Sequence, residues 1–352
     1  MYEDTISNRT GSRSQTCEWR TNKAAEPSSR ARSPWLQSNQ RGISNAQAAP
    51  AAVSAQDNWA DTCNVCSRHC RLAEGAAGLC QARKNISGTI TPINYGIVSS
   101  LALDPIEKKP LRDFFPGSRI LSVGSFGCNL LCPFCQNHDI SRVIVNPAQG
   151  AASGALPFLM EASGEPAGTE YIPPEVLCQT ALGLIRRGNI GVAFTYNEPL
   201  VGYEYVRDTA KLCREKGLKT VLVTNGSATD AVLDEILPWI DAMNIDLKGF
   251  TFEAYNAVQG DLEQTMHFIT RAVSACHVEL TSLIVPGIND SAPEMEREAM
   301  WIASLSPDIP LHITRFFPKY KLTDREPTDI SLLYLLKETA ERYLSRVYLG
   351  NV

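Results

Sequence analysis

From Ser118 onward, short apolar runs rich in Val, Ile and Leu alternate with longer segments whose apolar residues recur at helical spacing. The runs predict strands at Arg119 to Val123, Ile190 to Thr195, Lys219 to Thr224, Ala242 to Leu247, Val278 to Val285 and Leu311 to Thr314. Helical spacing predicts helices over Pro174 to Arg187, Gly202 to Lys216, Thr229 to Ile236, Leu262 to Ala275 and Ala292 to Ser304, with a last one over Asp329 to Tyr343. Regular strand–helix alternation implies parallel strands covered by helices, an α/β fold, here a partial (β/α)6 TIM-like barrel. In such a fold the working residues gather where strands end. The relevant ends are Gly127-Cys128, Thr195 to Pro199, Thr224 to Gly226, Asp246 to Lys248 and Val285 to Asp290.

The pattern is different elsewhere. Residues 1–57 mix Ser, Asn, Gln, Ala and Arg with few large apolar side chains, and too little apolar area to offset chain entropy predicts a disordered leader. Residues 58–117 form a Cys-rich N-terminal module, and 118–352 the core, with the Gly-, Ala- and Pro-rich stretch 147–169 read as a loop insertion. Glu3, Asp4, Glu18 and Glu26 weaken a mitochondrial targeting role for the leader, leaving a cytoplasmic location as the expectation.

Composition narrows the function classes. The 352 residues carry 33 Lys and Arg against 38 Asp and Glu, a net charge of −5, with 44% hydrophobic residues. A slightly acidic chain without a basic run is not expected to bind nucleic acid. No stretch nears the roughly 18 to 20 apolar residues of a membrane span. No phosphate-binding glycine loop, dinucleotide fingerprint or serine triad is present.

The 11 cysteines change the picture most. Cys128, Cys132 and Cys135 form a C-x3-C-x2-C set after a strand. Three thiolates on a tight loop can hold three irons of a cubane, leaving the fourth iron open for a small molecule, whereas structural zinc and electron-transfer clusters use four protein ligands. The competing readings are a zinc knuckle completed by His138 and inert core thiols. Cys63, Cys66, Cys70 and Cys80 form a complete four-thiolate set that implies a second metal, zinc or a further iron-sulfur cluster, with His69 a bystander. Cys17, Cys178, Cys213 and Cys276 are read as free thiols.

The motif Gly127-Cys128-Asn129-Leu130-Leu131-Cys132-Pro133-Phe134-Cys135 resembles the radical S-adenosylmethionine (SAM) superfamily. The resemblance implies that the open iron of a [4Fe-4S] cluster chelates SAM, whose reductive cleavage yields a 5′-deoxyadenosyl radical that abstracts hydrogen from a substrate. It implies a reductant such as flavodoxin or ferredoxin. Phe134 would pack against the cluster or adenine. In related activating enzymes a glycine-glycine-glutamate element contacts the methionine amino group; Tyr196-Asn197-Glu198-Pro199 stands there, with Asn197 and Glu198 as candidates and the glycines replaced. Glu198 also reads as a helix-start acid. Thr224 and Asn225 resemble the next SAM-contacting segment, though Asn-Gly is also an ordinary turn. Asp246-x-Lys248 resembles an element of glycyl-radical activating enzymes, with Lys248 near the SAM carboxylate; a salt-bridged rim is the alternative.

Asp104-Pro105-Ile106-Glu107-Lys108-Lys109-Pro110-Leu111, with Cys80, Phe115-Pro116-Gly117, Gln136-Asn137, Ile140-Ser141 and Arg315-Phe316-Phe317-Pro318, is similar to the radical SAM member of the AmmeMemoRadiSam system, over residues 60 to 350. That family is related to pyruvate formate-lyase activating enzymes. The resemblance implies Memo-like and AMMECR1-like protein partners and an unidentified protein or small-molecule substrate. Glu107, Lys108 and Lys109 are expected to form a solvated turn. Activation of a glycyl-radical enzyme is the runner-up activity, and a structural zinc or electron-transfer protein the non-enzyme alternative.

Overall fold

The computed structural model describes residues 62–143 and 168–352; the leader and nearly all of the 147–169 insertion lie outside them. Residues Asn58–Val352 cluster as one compact unit. A hairpin of β1 (Arg83–Ile86) and β2 (Thr89–Pro92) opens the described chain, and β3 (Ile97–Val98) pairs with β6 (Glu170–Tyr171). The main sheet has eight strands in the order β12-β11-β10-β9-β8-β7-β5-β4. These are β4 (Ser100–Pro105), β5 (Arg119–Gly124), β7 (Asn189–Phe194), β8 (Lys219–Thr224), β9 (Ala242–Asp246), β10 (His277–Ile284), β11 (Leu311–Arg315) and β12 (Val347–Gly350). Every neighbouring pair is parallel except β4 with β5.

The central parallel strands are covered on both faces, as parallel sheets ordinarily are. The run Thr220-Val221-Leu222 in β8 is fully buried, with Val221 facing an inner cluster of Ile106, Leu111, Ile120, Ala193 and Ala242, while Leu222 joins the cluster under the helices. Each helix supplies one apolar stripe. In Tyr203–Glu215 the buried residues Tyr205, Val206, Thr209, Ala210 and Cys213 recur at helical spacing. Asp261, Ser291 and Asp329 start helices by accepting the backbone N–H of Gln264, Glu294 and Ser331, as side-chain oxygens do at a helix N-terminus.

The expected α/β architecture is present, with strand and helix positions displaced by a few residues at most. Two strands of the main sheet were missing from the expectation, as were the short β1, β2, β3 and β6 outside it. Val347–Gly350 adds a seventh parallel strand, too short to show a period. Ser100–Pro105 adds an antiparallel edge, so the Cys-rich segment contributes a strand to the barrel sheet. The helix Phe252–Ala257 was also missed, being little more than one turn.

The solvated turn expected at Glu107 to Lys109 holds for the exposed Lys108 and the partly exposed Glu107 but fails at Lys109. Lys109 is buried, its Nζ 2.9 Å from Asp104, and Ile106 and Leu111 are fully buried in the inner cluster. The connection from β4 to β5 crosses beneath the barrel and reaches β12, where Asp113 meets Arg346 at 3.0 Å and Tyr348 at 2.9 Å. Apolar Ile106 and Leu111 pull this charged stretch inward, and Asp104 supplies the counter-charge that lets Lys109 follow.

Candidate functional site

The C-terminal ends of the parallel strands bring the expected residues to one rim. After β5 the chain turns at Gly127, with φ +90; a side chain there would collide with the Cys80 carbonyl oxygen, 2.5 Å from the Cβ position. Only glycine fits this turn. The loop that follows carries Cys128, Cys132 and Cys135, all partly exposed. Arg142 fixes its shape by donating to the Leu130 carbonyl at 2.8 Å, and Ser141 Oγ lies 3.1 Å from Cys135 Sγ. Phe134 is buried in an apolar cluster with Leu130, Val258, Val285, Phe316 and Leu322, against which Cys128 and Cys132 pack. Burial pushes the Cys132 thiol up to about 11, and Lys248 opposes that shift.

The second and third strand ends lock together through Glu198. Its carboxylate accepts from Leu200 N at 3.0 Å, Thr224 Oγ1 at 2.7 Å and Asn225 N at 2.7 Å. Glu198 is 3% exposed, and burial outweighs these bonds, raising its pKa to about 7. The helix-start reading describes its bond to Leu200; its larger effect is to fix the Thr224-Asn225 turn. From there Asn225 Nδ2 donates to Asn129 Oδ1 at 2.9 Å and approaches Cys128 Sγ at 3.8 Å. Asn197 reaches the other side of the loop, donating to the Phe126 and Gly127 carbonyls at 3.1 Å each.

Asp246 and Lys248 share one face and pair at 2.8 Å, so the salt-bridged rim is present. Burial disfavours the Lys248 charge, but Asp246 and the Cys132 and Cys135 thiols hold its pKa above the ordinary lysine value. A cation therefore stands beside the cysteine loop.

Two residues here had no separate role in the sequence reading. Tyr196 adopts φ 74, a conformation uncommon for an aromatic residue. Its carbonyl accepts from Asn137 Nδ2 at 2.8 Å, its hydroxyl lies 2.8 Å from Asp104, and Lys109 Nζ sits 4.6 Å from its ring centroid. Asn129, between two of the loop cysteines, is buried and also donates to Ser227 Oγ at 2.7 Å. Its place inside the motif was the available signal.

Cys63, Cys66, Cys70 and Cys80 line one narrow cavity with Arg68, Arg83 and Asn129. Cys63, Cys66 and Cys80 are buried, and burial pushes Cys80 up to about 12. Arg83 pairs with Glu204 at 2.8 Å behind them. Among the described residues no three Cys, His, Asp or Glu side chains gather about one point as a single ion requires. Thiolates that each bind a different iron of a cubane need not do so. The donor set at the three-cysteine loop therefore fits a cluster: soft ligands, an apolar backing and a neighbouring cation. No helix among the described residues is long and apolar enough to cross a membrane.

Comparison with known proteins gives the family. The Radical SAM superfamily model matches residues 122–299. An uncharacterized protein of Methanocaldococcus jannaschii, MJ0808, is 37% identical over 293 residues, spanning 82% of this chain and 81% of that protein. The pyruvate formate-lyase-activating enzyme of Clostridium pasteurianum is 25% identical over 184 residues, 51% of this chain and 67% of that protein. Among solved structures, a radical SAM methyltransferase from Sphaerobacter thermophilus aligns with a TM-score of 0.48 at 13% identity, over 67% of each chain. With the family model covering its cysteine loop and strand ends, this chain belongs to the radical SAM superfamily, related to the pyruvate formate-lyase-activating enzymes, and is an enzyme whose implied cofactors are a [4Fe-4S] cluster and SAM.

Proposed function

We propose that Cys128, Cys132 and Cys135 ligate the cluster and that the strand ends around them bind SAM. The observation that carries the assignment is the convergence of Asn225, Lys248 and the buried Glu198 bracket on that loop. With its cofactors bound, the site supplies a 5′-deoxyadenosyl radical for hydrogen abstraction. The chain's own residues do the rest. Lys248 offers a cation to a carboxylate. Asn225 and Thr224, held by Glu198, form a polar wall, with Asn197 fixing the backbone of the loop. Phe134 and its apolar neighbours keep water from the thiolate side.

The finer family reading is the AmmeMemoRadiSam radical SAM branch, supported by the Asp104 to Leu111 motif and by the four-cysteine set beside the barrel. On that reading Memo-like and AMMECR1-like proteins are partners, and a one-electron donor such as flavodoxin or ferredoxin is the reductant. The similarity to pyruvate formate-lyase-activating enzymes spans about half of this chain, and glycyl-radical activation remains the alternative activity. For Cys63, Cys66, Cys70 and Cys80 the reading is a second metal, zinc or another iron-sulfur cluster, supported by four soft donors lining one cavity; as no three of them gather as a single ion requires, the cluster is the better supported of the two.

The test is anaerobic electron paramagnetic resonance on reconstituted, reduced protein with and without SAM, together with iron and zinc counts. A cubane signal that changes on SAM addition supports the ligand assignment, and the counts identify the second metal. Zinc alone with no SAM-responsive signal sinks the assignment.

A further inference from the structure

The four-cysteine module touches the catalytic loop at several independent points. Cys80 contributes the carbonyl that packs against Gly127, immediately before Cys128. Arg68, two residues after Cys66, donates from Nε to the Asn129 carbonyl at 2.5 Å and from its terminal nitrogen to the Gln259 carbonyl. A third strip of contact runs along the strand end that carries Asn225. Ser67 N donates to the Ser227 carbonyl at 3.3 Å, Thr229 N to the Val65 carbonyl at 3.1 Å, and Cys66 forms a bridge with Ala228.

Asn129 is where these contacts meet. Its carbonyl is held by Arg68, its Oδ1 accepts from Asn225 and its amide donates to Ser227. Ser227 is in turn bonded to Asn225 Oδ1, through Oγ at 2.5 Å and N at 3.1 Å. The Asn225 amide, the group that approaches Cys128 Sγ, therefore has its rotamer fixed by a closed ring of Asn129, Asn225 and Ser227. Such a ring is worth more than its separate bonds, and partners of this kind orient the groups around a metal centre.

We propose that Asn129, held by Arg68, makes the four-cysteine module a positioning element for Asn225 and Cys128, so that SAM affinity depends on residues outside the strand-end set assigned to SAM. The inference rests on the reading that the three-cysteine loop holds the cluster. Asn129 and Arg68 are positioning residues. Removing the Asn129 side chain opens the ring and frees the Asn225 amide, and removing Arg68 releases the Asn129 backbone and lets the ring shift against Cys128, while all three loop cysteines stay in the chain. Loss of one such oriented hydrogen bond corresponds to about a tenfold change in binding.

The experiment uses reconstituted, full-length Arg68→Met and Asn129→Ala proteins, with Arg68→Lys as the conservative variant. SAM is titrated into each reduced protein and the change in its resonance signal is followed, alongside iron content and far-ultraviolet circular dichroism. The expected result is native-like folding and iron content, a half-saturating SAM concentration about tenfold higher in both variants, altered g-values before SAM in Asn129→Ala, and substantial recovery in Arg68→Lys. A folded Arg68→Met protein that titrates like wild type overturns the proposal. Should Asn129→Ala fail to fold, Arg68→Met decides alone, because Arg68 is only half-buried. A wild-type protein without any SAM-responsive signal overturns the cluster reading and this coupling together, a result distinct from variants that match a responsive wild type.

Discussion

The two ends of the barrel are both polar, yet they use polarity in opposite ways. At the floor, the fully buried Glu279 accepts from the backbone N–H groups of Arg112 and Asp113, at 2.9 and 2.8 Å, and from His277 and His312, at 2.9 and 2.6 Å. Asn244 adds a bond to the Pro110 carbonyl, and Thr281 completes Asn244. Each of these groups spends its capacity on a protein partner. At the rim, the three loop thiols have few partners, stay partly exposed and face a cation at Lys248. Satisfied polar groups fix a structure, whereas unspent ones are left for ligands. The same sheet is thus closed at one end and chemically open at the other.

The comparison is broken if rim substitutions unfold the protein or floor substitutions leave stability intact. The largest effect is expected from Cys132→Ala, which should abolish SAM cleavage, a loss on the order of a thousandfold or more. Its circular dichroism should match wild type. At the floor, Glu279→Ala strands two histidines and two backbone donors and should cost about 3 to 5 kcal/mol, read from urea denaturation. A cost below about 1 kcal/mol would show that the floor is not the stabilising end.

Two buried carboxylates sharpen the contrast through pH. Partners hold Glu279 down to about 2 despite the burial that opposes them, while burial raises Glu298 to about 8, with Ser282 its hydrogen-bond partner. For Glu279 the unfolded chain takes up protons first, so stability of about 3 kcal/mol is present above its unfolded pKa near 4.5 and is lost as pH falls toward 2. For Glu298 the folded chain keeps the proton longer, so stability falls as pH rises from 4.5 to 8. Glu298→Gln should therefore stabilise the protein at pH 8, by on the order of 3 kcal/mol, and change little at pH 4. Melting curves at the two pH values check the sign, and an equal shift at both would contradict it. The smallest effect is expected from Lys248→Met at the rim. It should weaken SAM binding about tenfold with a melting temperature close to wild type, measured by SAM titration.

The rim was largely legible in the sequence because its signals are local. Cys128, Cys132 and Cys135 sit within one loop, and Glu198, Asn225 and Lys248 each follow a recognisable apolar strand. The floor was not legible. Glu279 meets Arg112 and Asp113 across more than 160 positions of chain, and nothing in Glu107-Lys108-Lys109 signals that Lys109 is buried against Asp104. The bracket from Arg68 to Asn129 is equally long-range, and its donor meets a backbone carbonyl, which leaves no side-chain pattern to read. Periodicity reports which face of an element is buried; it does not report which distant groups complete a hydrogen-bond network.

The most direct test of the central claim is the product of the rim chemistry itself. Reconstituted protein, reduced under anaerobic conditions and supplied with SAM, should release 5′-deoxyadenosine and methionine in equal amounts, and Cys128→Ala should release neither. A wild-type protein that binds iron yet leaves SAM intact, or a Cys128→Ala protein that still cleaves it, would contradict the assignment of the open rim as the catalytic end.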